Sequence, residues 1–200
     1  IINCPLSIVH YQLSIINCQV PIDSHLTYLD KHAYCAPQIS ALPSGHLGIV
    51  VVIPCYAEGN LLRTLESLQA CTPSACAVEV IVVLSSSEAD DAALRARNLA
   101  TLAQAQAWAQ AHAREDLQFH FLHFPDLPRK HAGVGLTRKI GMDEAVHRFG
   151  LADNPRGIIV SLDADTVCDD NYLRAIELYF DKQRKGQAAA VHLALFVKIQ

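Results

Sequence analysis

The chain alternates short apolar runs with longer stretches in which apolar residues recur every three or four positions. The short runs are rich in β-branched residues, which is typical of strands buried on both faces, and the periodic stretches are typical of amphipathic helices. Pro, Gly and capping residues separate the two kinds of segment. Strands are predicted over residues 48–53, 78–84, 119–124, 158–162 and 188–197, and helices over residues 58–70, 88–114, 133–150 and 169–182.

The order of these elements is βαβαβαβαβ, which predicts an α/β fold: a parallel-dominated sheet with helices on both faces. Residues 48–200 are predicted to form this domain. Residues 23–47 carry two prolines and a glycine, and they are predicted to be a lead-in segment with one short helix near residues 26–32.

Residues 1–22 repeat the tetrapeptide Ile-Ile-Asn-Cys and the tripeptide Leu-Ser-Ile. They are rich in β-branched residues, Ser and Asn, which are weak helix formers. We predict a low-complexity extension outside the fold, with an amphipathic arm packed on the domain as the alternative. A chain of 200 residues whose first residue is Ile is expected to be a fragment or a trimmed translation.

Composition narrows the classes of function. A net charge of −4 gives no basic surface for a nucleic-acid partner. The seven cysteines have scattered spacing without a CxxC pair, so neither a zinc cage nor a disulfide framework is predicted. The sequence contains no run of 18 apolar residues, so no membrane-spanning helix is predicted. A signal peptide is not predicted either, because no Lys or Arg precedes the first apolar stretch. Reduced thiols indicate a cytoplasmic protein.

The strand at residues 158–162 runs directly into two carboxylates, Asp163 and Asp165. In open α/β sheets, ligands bind just beyond the carboxyl ends of the strands. Carboxylate oxygens suit Mg²⁺ or Mn²⁺, and such ions usually take substrate phosphates as further ligands. The sequence therefore predicts a metal and phosphate site at this strand end.

Four segments stand in order along the chain: the strand that runs into Pro-x-Tyr-x-Glu (residues 49–58), the second strand (80–83), the helix that begins Thr-Arg-Lys-x-Gly (137–145) and the strand with Asp-x-Asp (159–165). Together they resemble motifs of glycosyltransferase family 2, which has the GT-A fold. Each motif alone is weak, but four in order at strand ends are more specific. The resemblance covers residues 48–197 and implies a nucleotide-sugar-binding domain that is truncated at its C-terminal end.

The resemblance implies roles for individual residues. Asp163 and Asp165 would hold Mg²⁺ or Mn²⁺, and Arg138 would bring positive charge to the donor diphosphate, with Lys139 and residues 129–131 close in sequence. The implied donor-binding residues are Pro54, Tyr56, Glu58, Ser85, Arg138 and Asp163.

The chain departs from the family pattern after the second strand. Many members have Asp-Asp-Gly-Ser there, with an Asp that recognises the base, whereas this chain has Leu84-Ser85-Ser86-Ser87. The serine hydroxyls are expected to meet the base instead, with Asp90 or Asp91 nearby.

The implied activity is metal-dependent, inverting transfer of a sugar from a nucleotide-diphosphate-sugar to a hydroxyl of a saccharide or lipid-linked acceptor. Such a transfer needs a carboxylate base. Asp143 and Glu144 lie mid-helix and are expected to be solvated, so no base is assigned. The alternative is a non-catalytic donor-binding fragment that lacks the acceptor half. Membrane association, at the inner face, is expected only through parts outside this chain.

Two other enzyme classes fit less well. A sugar nucleotidyltransferase would have a Gly-rich phosphate loop after the first strand, and a Rossmann dehydrogenase would have GxGxxG there. This chain has Pro54-Cys55-Tyr56-Ala57 instead, with Cys55 expected to be a buried, unreactive thiol.

Overall fold

The structure is a computed structural model that describes residues 23–112, 114–184 and 192–195. The predicted extension at residues 1–22 lies outside the described residues. The elements are α1 (Asp23–His32), β1 (Leu47–Cys55), α2 (Leu61–Ala70), β2 (Ala77–Ser87), α3 (Ala92–Ala111), β3 (Leu117–Leu127), α4 (Val134–Leu151), β4 (Ile158–Ser161), α5 (Tyr172–Arg184) and β5 (His192–Leu195).

The five described strands form one sheet in the order β3-β2-β1-β4-β5, and every neighbouring pair is parallel. This confirms the predicted α/β fold and its alternation of strands and helices. From β1 the chain steps to β2 and β3 in one direction, and from β4 it steps to β5 in the other. The strand order therefore reverses between β1 and β4, which is where open α/β sheets bind their ligands.

Helices cover both faces of the sheet. On one face, the odd-numbered residues of β1, such as Val51, pack with the apolar sides of α2, α3 and α5. On the other face, the even-numbered residues, such as Val52, pack with Ile140, Ala145 and Phe149 of α4. Since both faces are covered, β1 is buried along almost its whole length, which explains its unbroken apolar sequence.

Helix α4 lies unusually close to the sheet at Gly141. A Cβ at this position would lie 2.4 Å from Cγ1 of Val52 and 3.1 Å from Cγ2 of Val83. Only a residue without a side chain allows this approach. The close contact fixes the height of α4 above β1, and with it the position of Arg138, one turn earlier in the helix.

Replacing Gly141 with alanine is therefore expected to destabilise the protein by about 1–3 kcal/mol, because the added methyl group overpacks the contact with β1. Gly150→Ala is the matched control, since a Cβ there meets nothing within 4 Å on the same helix. That variant is expected to be neutral or stabilising by up to about 1 kcal/mol. Urea unfolding measures both; equal stabilities of the two variants would contradict this packing.

Several predicted strand ends are wrong; β3, for example, runs from Leu117 to Leu127 rather than over residues 119–124. Strand β1 does not stop before Pro54 but continues through it to Cys55. The Val52 carbonyl accepts a hydrogen bond from Leu162 N, so it faces β4. In a strand the backbone groups of residues two apart face the same side, so the nitrogen of Pro54 also faces β4. Pairing with β4 has ended there, at Ser161, so the missing N–H of proline costs nothing.

Strand β2 is also longer than predicted. Ser85, Ser86 and Ser87 fall between the predicted strand 78–84 and the predicted helix 88–114, but they belong to the strand, because β3 pairs with it as far as Leu127. The N-cap of α3 is Asp91, whose side chain accepts a hydrogen bond from Leu94 N.

The lead-in segment contacts α4 through two carboxylates. Asp143 accepts hydrogen bonds from the Tyr28 hydroxyl at 3.1 Å and Tyr34 N at 3.0 Å. Glu144 accepts from Gln38 N at 2.8 Å and Ile39 N at 3.2 Å. The predicted short helix is present as α1.

The prediction that Asp143 and Glu144 are solvated is therefore wrong: their exposed fractions are 6% and 5%. The face of α4 that carries them is covered by residues 28–39 rather than by water. Both carboxylates are engaged by donors of this segment.

Replacing Glu144 with alanine is expected to destabilise the protein by about 1.5–3 kcal/mol, since it removes two hydrogen bonds to an ionised acceptor. Hydrogen exchange should rise first at the amides of Gln38 and Ile39, which lose their acceptor. Glu66→Ala, on the exposed side of α2, is the control and should change neither quantity. Unchanged exchange in the Glu144 variant would show that the carboxylate does not hold the segment.

Candidate active site

The Asp-Ala-Asp segment lies at the carboxyl end of β4, beside the end of β1. Leu162 N donates to Val52 O at 3.0 Å, which extends the pairing one residue past the strand. The chain then turns, with Thr166 N donating to Asp163 O at 3.1 Å. Both carboxylates are therefore held on a short turn at the point where the strand order reverses.

Helix α2 anchors this turn through a side-chain hydrogen bond. The buried Thr64 hydroxyl donates to Ala164 O at 2.8 Å, between the two carboxylates. Farther along, Ser67 Oγ accepts a hydrogen bond from Cys168 N at 3.0 Å. The Ala164 carbonyl is hydrogen-bonded to Thr64, and Ala164 itself is buried. The turn therefore presents the side chains of Asp163 and Asp165 at the surface.

Arg138 reaches the same point from α4. Its Nε donates to Ser161 Oγ at 2.8 Å, and its Nη2 lies 3.3 Å from Asp163 Oδ1. The Asp163 side chain is 37% exposed and that of Arg138 27%, so the pair is open to solvent on one side. The structure thus brings Arg138 and Asp163, predicted as site residues from separate motifs, into direct contact.

The end of β1 forms the neighbouring rim. Pro54 is buried inside the strand, and Tyr56 is 45% exposed just beyond it. Glu58 is half-buried, and its Oε1 accepts a hydrogen bond from Asn60 N at 2.9 Å, at the start of α2. All three predicted residues therefore lie at the carboxyl end of β1.

Ser85 is not placed as predicted. It is 2% exposed, and its hydroxyl is hydrogen-bonded to that of Thr137 at 2.7 Å. The next two serines are buried as well, and Ser86 Oγ accepts a hydrogen bond from Asn98. The Ser85 and Ser86 hydroxyls thus link β2 to α4 and α3, and the Ser87 hydroxyl accepts a hydrogen bond from Ala89 N, so the three hydroxyls are engaged within the protein.

Asp90 joins the ends of β1 and β2. Its Oδ1 accepts a hydrogen bond from the Tyr56 hydroxyl at 2.9 Å, and its Oδ2 accepts from Ser87 N at 2.7 Å. The hydrogen bond to Asp90, with some burial and the negative charges of Asp90 and Asp91, raises the pKa of Tyr56 above its ordinary range. Asp91 is occupied as the cap of α3.

The other basic residues named with Arg138 lie elsewhere. Lys139 Nζ contacts Asp143 and donates to His32 O at 2.7 Å, so it faces α1. The side chains of residues 129–131 are exposed on the connection between β3 and α4. Arg138 is therefore the member of this group that contacts the Asp-Ala-Asp turn.

The thiols near the turn are unsuited to nucleophilic chemistry. Burial raises the pKa of Cys55 to about 11 and that of Cys168 to about 12. Both thiols are protonated at neutral pH, and only the thiolate is nucleophilic. The expectation of a buried, unreactive Cys55 is confirmed, with an exposed fraction of 1%.

Within the described part of the chain, no three His, Cys, Asp or Glu side chains come together as a metal site. Two carboxylates are nevertheless a fitting set for a Mg²⁺ or Mn²⁺ ion that shares substrate phosphates, because such ions often use one or two protein carboxylates. Asp163 and Asp165, on one partly exposed turn, match that requirement.

No described helix has both the length and the apolar character needed to cross a bilayer.

Sequence reasoning missed the residues that support the site. Thr64, Thr137 and Ser161 are polar residues that the structure shows to be buried, at 0–1% exposure. Asn98 is similarly buried at 1%. A signal was present for two of them: Ser161 interrupts an apolar strand, and Asn98 stands in an Ala-rich helix although Asn is a poor helix former.

Comparisons with known proteins place the chain in a family. A search of the solved structures finds S. aureus TarS, as a fragment of residues 1–349 and as a longer chain, each 18% identical with a TM-score of 0.46. Each covers 69% of this chain, which spans 33% of the fragment and 20% of the longer TarS chain. No curated protein matches. The family model for glycosyl transferase family 2 matches residues 50–196, well over half of the chain, with β1, β4, Arg138 and both aspartates inside the match. The chain therefore belongs to glycosyl transferase family 2.

Proposed function

We propose that this chain binds a nucleotide-diphosphate-sugar and belongs to an enzyme that transfers the sugar to a hydroxyl acceptor with inversion, in a metal-dependent reaction. The observation that carries the proposal is the contact of Arg138 with Asp163 and Ser161 at the end of β4. It puts a guanidinium beside a carboxylate pair at the switch point of the sheet, where a diphosphate and a divalent cation would bind together.

Asp163 and Asp165 would hold Mg²⁺ or Mn²⁺ together with the diphosphate oxygens. When bound, the ion stabilises the negative charge that develops on the leaving diphosphate. Arg138 would have two tasks. It orients Asp163, and it provides N–H donors and a positive charge for the diphosphate.

The nucleoside would lie against the end of β1. Tyr56 presents its ring at the rim, and its hydroxyl is held by Asp90, so the ring is oriented before a nucleoside arrives. Glu58 and buried Pro54 shape the adjoining backbone. Because the serines at the end of β2 are engaged internally, recognition of the base falls to the loop after β1 and to Asp90.

An inverting transfer also requires a carboxylate base for the acceptor hydroxyl. Since Asp143 and Glu144 are buried and hydrogen-bonded to the lead-in segment, we assign no residue of this chain to that step. We propose a saccharide or lipid-linked acceptor and a cytoplasmic location, at the inner membrane face if other parts of the protein provide an anchor.

Calorimetric titration of the 200-residue chain with uridine or guanosine diphosphate, with and without Mn²⁺, tests the proposal. We expect binding of one of them that depends on Mn²⁺. An absence of binding for both nucleotides under either condition would refute the proposal.

An assay of donor hydrolysis and sugar transfer by the same chain separates the enzyme from the alternative, a donor-binding fragment without catalysis. Turnover would exclude that alternative. Metal-dependent binding without turnover would favour it for this chain taken alone.

A further inference from the structure

The loop after β1 has a backbone conformation that its sequence does not favour. Ala57, between Tyr56 and Glu58, has a φ of 53°, in the left-handed region. A residue with a Cβ is strained there and remains so only when the surrounding structure holds it. The group that holds Ala57 in this conformation therefore helps to shape the rim of the site.

That group is Asn98, on α3. Its Oδ1 accepts a hydrogen bond from Ala57 N at 3.1 Å. Its Nδ2 donates to Ser85 O at 3.0 Å and to Ser86 Oγ at 2.8 Å. The orientation of the amide is fixed by these partners, because a flipped amide would face the Ser85 carbonyl with its oxygen and Ala57 N with its NH₂ group.

Burial makes this contact strong. Asn98 is 1% exposed, and in α3 only Asn98 and Ala105 are buried. An amide taken out of water is tolerated when its hydrogen bonds are made, and it resists any motion that breaks them. Asn98 therefore fastens the loop after β1 to the end of β2.

We propose that Asn98 is a positioning residue that keeps the loop after β1 in the conformation that binds the nucleoside part of the donor. The inference rests on the proposed function and extends it to a residue outside the four motifs. Asn98 does not touch the ligand. It acts through Ala57, by holding Tyr56 and Glu58 on either side of it at the rim of the crevice.

The test measures the dissociation constant of the nucleoside diphosphate that the wild-type chain binds with Mn²⁺, together with thermal unfolding. Asn98→Ala is expected to weaken binding about tenfold or more, because the binding conformation of the loop becomes a minor population. The double variant Asn98→Ala/Ala57→Gly should return to within about threefold of wild type, since glycine adopts positive φ without strain. If Asn98 contributed only to overall stability, the substitution Ala57→Gly would not restore the affinity for the nucleotide.

Ala105→Gly is the matched control. It weakens the same helix at its other buried position without touching the loop, so it should lower stability and leave affinity within about twofold of wild type. If Asn98→Ala does not fold, Ala57→Val replaces it, because a β-branched residue is more strongly excluded from positive φ. That variant should fold and bind the nucleotide at least about tenfold more weakly.

Wild-type affinity in Asn98→Ala, no recovery on adding Ala57→Gly, or wild-type affinity in Ala57→Val would each overturn the inference while the proposed function stands. A wild-type chain that binds neither uridine nor guanosine diphosphate would overturn both.

Discussion

Replacing Asp165 with asparagine is expected to weaken Mn²⁺-dependent binding of the nucleoside diphosphate by about 100-fold or more. Substitutions in the outer shell of metal sites already cost about 10–100-fold, and Asp165 is proposed as a direct ligand. Asparagine retains the size of the side chain and removes its charge, on which hard cations depend. The variant should also lose the difference between titrations with and without Mn²⁺.

The control is Glu115→Gln, which removes an exposed carboxylate next to the start of β3, at the opposite edge of the sheet. It changes net charge by the same amount and should bind as wild type does. Asp163→Asn should also weaken metal-dependent binding and, in addition, free Arg138 from its ion pair. Wild-type affinity in both aspartate variants would contradict the proposed metal site.

The largest expected effect on stability comes from Arg148. Its guanidinium makes two hydrogen bonds to Glu79, at 2.8 and 2.6 Å, and a third to the carbonyl of Ala41. The side chains of Arg148 and Glu79 are 0% and 2% exposed. Arg148→Met should destabilise the protein by about 3–5 kcal/mol, because Glu79 is left as a buried, uncompensated charge.

The double variant Glu79→Met/Arg148→Met is the control. It removes both charges, so it should be more stable than Arg148→Met alone, since replacing a whole buried pair by apolar residues is often nearly neutral. Urea unfolding of wild type, both single variants and the double variant gives the coupling energy. A double variant no more stable than Arg148→Met would contradict the ion-pair explanation.

The pH dependence of unfolding gives a second measurement of the same pair. Burial by itself would raise the pKa of Glu79, but the hydrogen bonds and charge of Arg148, with the His120 ring 3.8 Å from the carboxylate, outweigh it and hold that pKa below its ordinary 4.5. The pair therefore stabilises the protein at pH values above 4.5, and this contribution is lost as the pH falls through the lowered pKa. The stability difference between wild type and Arg148→Met should narrow over that acidic range.

The arrangement of strands and helices could be predicted because it follows from local pattern. Residues 80–84 form a continuous apolar run, and residues 61–68 carry leucines at helical spacing. Each pattern identifies its element without knowledge of the rest of the chain. The position of Asp163 and Asp165 at the end of a buried strand was predicted on the same basis. Element ends were less certain: whether β2 stops before or after Ser85 depends on how far β3 pairs with it.

The surroundings of individual polar residues were not predictable in this way. Asp143 and Glu144 are buried because residues 28–39 cover α4, more than 100 positions away in sequence. Helical spacing identifies a polar face, but it does not show what lies on that face. The same limit applies to Asn98, whose partners lie on β2 and on the loop after β1.

The sequence by itself determined the α/β alternation, the apolar strands and the placement of a carboxylate pair at a strand end, since these depend on residues adjacent in the chain. Only the tertiary structure decided that Arg138 meets Asp163, that the serines at the end of β2 are engaged internally, and that Asn98 supports a strained Ala57. Those contacts join residues more than 20 positions apart. They exist because the parallel sheet brings the carboxyl ends of β1, β2 and β4 to one edge, with α3 on one face of the sheet and α4 on the other.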